Sequence, residues 1–66
     1  MKLYDAKYGH EVASVSDDGR SLAARWGRRF SIKGTEVFDQ QREHVGFFHD
    51  GRFSNLAGDL MAEARA

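Results

Sequence analysis

Val37-Phe38-Asp39-Gln40-Gln41-Arg42-Glu43-His44-Val45-Gly46-Phe47-Phe48-His49-Asp50-Gly51-Arg52-Phe53 reads as strand, turn, strand, turn and the start of a further strand. Val37 opens it, Asp39 starts the first turn, and the apolar–small pair Val45-Gly46 leads into Phe47-Phe48. Asp50-Gly51 supplies a hairpin signal, because Gly after Asp readily takes positive φ. The runs between turns are three to five residues long, which suits short strands and is too short for ordinary helices.

The same pattern occurs four times in the 66 residues. Each copy begins with an apolar residue, any residue, then Asp, Asn or Ala: Leu3-Tyr4-Asp5, Leu22-Ala23-Ala24, Val37-Phe38-Asp39 and Phe53-Ser54-Asn55. Each ends on an apolar–small pair: Val12-Ala13, Phe30-Ser31, Val45-Gly46 and Met61-Ala62. Gly9, Gly27 and Gly58 stand three residues before the pair, and Arg42 takes that place in the third copy. Units this small cannot bury a face alone and must pack on one another. Asp17-Asp18-Gly19 and Lys33-Gly34 mark the turns between copies, as Asp50-Gly51 does.

These signals predict strands over 3–5, 11–15, 21–24, 28–32, 36–39, 44–48, 52–54 and 60–64. The expected fold is all-β: one domain over 1–66, built of four short β-hairpin repeats at approximately 3–20, 21–36, 37–52 and 53–66. The repeats form a small pseudo-symmetric antiparallel assembly. The last copy also carries a competing pattern. Ser54 or Asn55 could cap a short C-terminal helix with Leu56, Leu60, Met61 and Ala64 on one face. Gly58 opposes that helix by about 1 kcal/mol, and the repeat register favours a strand.

The quoted stretch resembles the repeats of small bacterial proteins grouped as the four-fold β-flower domain, which run aromatic–Asp, Gly, then apolar–small–aromatic and a second Gly turn. The likeness covers nearly the whole chain and is strongest in the third copy. The second and fourth lack the expected aromatic, having Ala23-Ala24 and Ser54. The resemblance implies four hairpins round a pseudo-four-fold axis and carries no activity or binding residue with it. A weaker similarity is to the tyrosine–aspartate repeats of large secreted toxins.

Composition narrows the function classes. The chain has no Cys, which removes disulfides and thiolate chemistry. No run approaches the roughly 20 apolar residues that span a bilayer, and no leader pattern is present, so a cytoplasmic protein without a membrane partner is expected. Ten basic and ten acidic residues cancel. They are unevenly placed, since Arg20, Arg25, Arg28, Arg29 and Lys33 follow one another with no acid between them.

Chemistry finds little support in the residues. His10, His44 and His49 show no metal-ligand spacing, so no metal and no cofactor is expected. Asp5, Asp39 and Asn55 recur at one repeat position, where a turn is needed every time and a catalytic group only once. No nucleophile elbow or phosphate loop is present, and an enzyme is not expected.

Binding residues are easier to name. Arg25, Trp26, Arg28, Arg29 and Phe30 surround one turn, and Arg and Trp dominate interface energetics. Phe47 and Phe48 are neighbours on one strand, so one should face outward unless sheet closure buries both. The expected function is a small non-enzymatic protein-binding module, such as a phage or mobile-element inhibitor of a host machine of the anti-CRISPR kind. The alternatives are single-stranded nucleic-acid binding through the basic 25–33 hairpin, with Trp26 as a stacking platform, or a structural homo-oligomer. Small size makes a homodimer a further expectation.

Overall fold

Eight antiparallel strands follow one another round a closed barrel in the computed structural model, which describes residues 1–65. They are β1 Lys2–Asp5, β2 Glu11–Val15, β3 Ser21–Ala24, β4 Arg29–Lys33, β5 Glu36–Phe38, β6 His44–His49, β7 Arg52–Asn55 and β8 Leu60–Ala64. The all-β, four-hairpin expectation holds, with strand boundaries within a residue of those predicted. The optional C-terminal helix does not form. Leu60–Ala64 is β8, which pairs with β7 and, through Leu3↔Ala64 and Asp5↔Ala62, with β1. A helix there would leave β1 and β7 with unpaired edges, and closure removes both.

The inner wall uses three residues from each repeat. The first apolar residue of each copy pairs across its own hairpin: Leu3↔Ala13, Leu22↔Phe30, Val37↔Gly46 and Phe53↔Ala62. On its other side it meets a strand of the neighbouring copy: Leu3↔Ala64, Leu22↔Val15, Val37↔Ile32 and Phe53↔Phe48. Leu3, Val15, Leu22, Ile32, Val37 and Ala62 are buried, with Phe30, Phe48 and Phe53 packed against them. An eight-stranded barrel is just wide enough for side chains to fill, so large residues must alternate with small ones. Gly46 shows the limit. A Cβ there would overlap the Ser54 carbonyl oxygen and lie 2.9 Å from the Phe53 ring.

Register corrects one reading of the repeat. In copies one, three and four the ladder skips a residue, so Val12, Val45 and Met61, the apolar members of the apolar–small pairs, are β-bulges. The second copy runs without a break through Leu22↔Phe30 and Ala23↔Arg29. It lacks the extra residue, so Phe30 stands inside where Ala13, Gly46 and Ala62 stand in the other copies. The pairing of Phe30 with Ser31 as apolar–small is therefore one residue out of register.

Alternate turns of an up-and-down barrel emerge at opposite ends. The loops after β1, β3, β5 and β7 share one end, which is the end of the Asp, Asn and Ala positions. Among the described residues no helix is long and apolar enough to cross a membrane.

Candidate functional site

Three of the four turns at that end are held by their own side chains. Asp5 Oδ2 accepts the Lys7 and Tyr8 amides at 3.2 and 2.5 Å. Asp39 Oδ1 accepts the Gln41 and Glu43 amides, both at 2.9 Å. Asn55 Oδ1 accepts the Asp59 amide at 2.9 Å. These groups start turns, each through one side-chain oxygen that accepts backbone amides. The left-handed residue that closes each turn is Gly9, Arg42 or Gly58.

The second copy keeps a left-handed glycine, Gly27, at the closing position and departs from this plan elsewhere. Ala24 supplies no side-chain acceptor. Trp26 and Gly27 are both left-handed, at φ 66° and 72°, and the Arg28 amide donates to the Arg25 carbonyl at 3.4 Å. Two consecutive left-handed residues inside an i to i+3 bond make a type I′-like turn, whose first central position favours Asn, Asp or Gly. Trp is a poor choice for that backbone, and the fold makes no use of its ring, which is 92% exposed. Backbone strain of this kind persists at functional sites.

Arginines flank Trp26 in the chain. Arg25, Arg28 and Arg29 are exposed on the same turn, and Arg29 and Arg42 line one shallow cleft with Asp39. Among the described residues the ion pairs are Lys2–Glu11 at 3.6 Å and His49–Asp50 at 3.2 Å. Arg25, Arg28, Arg29 and Arg42 thus have no carboxylate partner there, and Arg28 lies over the Phe30 ring at 5.3 Å from its centroid.

Comparison with protein-family models, curated proteins and solved structures found no match. The geometry of this chain is therefore the ground for any functional reading.

The predicted contact residues divide into three groups. Arg25, Trp26, Arg28 and Arg29 come together in solvent on one turn. Phe30 and Phe48 are half-buried against the core. Phe47 faces outward on β6, 38% exposed, with its ring edge-on to His44 at 4.9 Å; His44 in turn lies 5.3 Å from Phe38. That aromatic cluster sits on the outer wall of β5 and β6, next to β4. His10, His44 and His49 lie on different parts of the barrel, and among the described residues no three metal-ligating side chains converge.

Two features of the site carry no clear signal in the sequence. Arg42 stands out there only as the odd residue at a glycine position, and its nearness to Arg29 comes from β4–β5 pairing. The other is a hollow of about 280 Å3 at the same end of the barrel, reached between Val12, Ala24, Phe30, Phe53 and Met61. It exists because Ala13, Ala24 and Ala62 leave space that larger residues would fill. The bulges that turn Val12 and Met61 toward it have no sequence signal within a single strand.

Proposed function

We propose that this chain is a non-enzymatic protein-binding module that engages an acidic partner surface through the β3–β4 turn. The observation that carries the reading is the departure of the second copy from its three siblings. A turn is needed in every copy, whereas a contact residue is needed once. Here the odd copy gives up its cap, strains a tryptophan and leaves that ring in water. Trp and Arg are the residues most often found at interface hot spots. An inhibitor of a host protein machine, such as an anti-CRISPR protein, is the narrower form of this reading. A small rigid barrel presenting one wedge suits it. A place in the four-fold β-flower family belongs to the same proposal, supported by four hairpins running in order round a ring.

The test is affinity capture from the native host with the parent protein and with Arg28→Glu/Arg29→Glu. Charge reversal at these exposed positions should abolish capture while the circular dichroism spectrum is preserved. Equal capture by both proteins would count against the proposal.

A second reading, single-stranded nucleic-acid binding, draws support from the same exposed indole between arginines. Stacking of a base on Trp26 would quench its fluorescence, with affinity falling steeply as salt rises. No quenching by oligonucleotide at low salt would remove it.

A further inference from the structure

We propose that the hollow at the Asp/Asn-turn end is a socket for one large apolar side chain of the partner, whose acidic neighbours lie against the arginines. This rests on the protein-binding reading above and adds the chemistry of the partner. The cavity holds about 280 Å3, below the roughly 300–1,000 Å3 of pockets that enclose a whole cofactor or drug-sized ligand. It is open on one side and has room for a side chain of phenylalanine or leucine size. Its rim is Val12, Ala24, Phe30, Phe53 and Met61, and its one carboxylate, Asp5, already accepts two backbone amides.

Socket and arginines are one continuous surface. Ala24 lines the hollow and is followed directly by Arg25, and the Phe30 ring that forms one wall carries the Arg28 guanidinium 5.3 Å from its centroid. A segment that seats an apolar residue in the hollow and runs across its Ala24–Phe30 side passes over Arg25 and Arg28, which have no carboxylate partner among the described residues. Charge complementarity makes that segment acidic. A nucleobase fits this hollow less well, since its polar edges would be buried among apolar walls without partners. A second copy of this chain presenting the same end would set arginine against arginine.

The experiment uses two synthetic twelve-residue peptides, each with four glutamates and identical except for a central Phe or Ala. Binding is read by Trp26 fluorescence and by the NMR shift of the Met61 methyl. The Phe peptide should bind at least about tenfold tighter, the return expected for burying one such side chain, and should move the Met61 signal. Met61→Glu on the exposed bulge and Ala24→Leu inside the hollow should each bring the Phe-to-Ala affinity ratio close to one. Equal affinity of the two peptides for the parent protein overturns the socket and leaves the arginine turn standing. A preference for Phe that survives both substitutions overturns it as well. If neither peptide perturbs Trp26, the protein-binding reading falls with it, and tighter binding of oligodeoxythymidylate would assign the turn to nucleic acid.

Discussion

Trp26 holds a left-handed backbone that costs a bulky L-residue about 1–2 kcal/mol, and its ring returns nothing to the core. Asn tolerates that conformation. Trp26→Asn should therefore stabilise the protein by about 0.5–1 kcal/mol, a rise of several degrees in Tm for a domain this small, and should weaken partner capture. Thermal melts followed by circular dichroism decide it, and a lower Tm would show that the indole serves the fold after all. Gly46 behaves in the opposite sense. Its backbone sits against the Ser54 carbonyl oxygen with the Phe53 ring beside it, so Gly46→Ala should cost about 2–3 kcal/mol in urea denaturation, the cost of overpacking a filled interior. The two residues differ in legibility. The arginines round Trp26 mark the turn as a candidate in the sequence itself, but the exposure of the indole depends on where β3 and β4 point their side chains. Nothing in Val45-Gly46-Phe47 discloses that Phe53, seven residues beyond Gly46, leans over the glycine.

At the scale of the hairpins, Asp and Asn act as local fasteners, and folding lowers the pKa of Asp18. The Ser16 hydroxyl and then the Arg20 amide donate to Asp18 Oδ1, and these bonds hold its carboxyl below the ordinary value of 3.8. A carboxyl whose pKa is depressed by folding stabilises the native state above its ordinary pKa. That contribution is lost as pH falls through the lower, folded value. Asp18→Asn should therefore lower stability at pH 7, where the carboxylate's contribution is complete, and the two proteins should converge as pH falls below 3.8. Urea midpoints for both proteins at pH 7 and near pH 3 measure this, and parallel losses would show that the β2–β3 turn does not contribute. Strand and turn positions are readable because such fasteners act within a few residues. The bulges are not. Val12, Val45 and Met61 sit beside small residues much as Phe30 sits beside Ser31, yet the first three are skipped by the ladder and Phe30 is not. One residue fewer between Gly27 and the inward position moves Phe30 from the bulge to the core.

Across the whole molecule, every strand pairing joins consecutive strands except β1–β8, which brings together the two ends of the described chain. Among the described residues the buried core is six residues, drawn from six different strands, so no subset of hairpins retains a covered face. Deleting residues 60–66 should thus abolish cooperative unfolding altogether, with loss of the β signal in circular dichroism. A truncated protein that still melted cooperatively would show that closure is dispensable. The sequence by itself determined the four-copy plan, the strands and the turns, since left-handed glycines, Asp caps and short apolar runs are local physics. Only the tertiary structure decided that the ring closes, that Leu60–Ala64 is a strand and not a helix, and which apolar residues face inward. It also decided that Arg42 and the hollow join the Trp26 turn. Each of these depends on the register between two strands, and register is settled by what the partner strand offers.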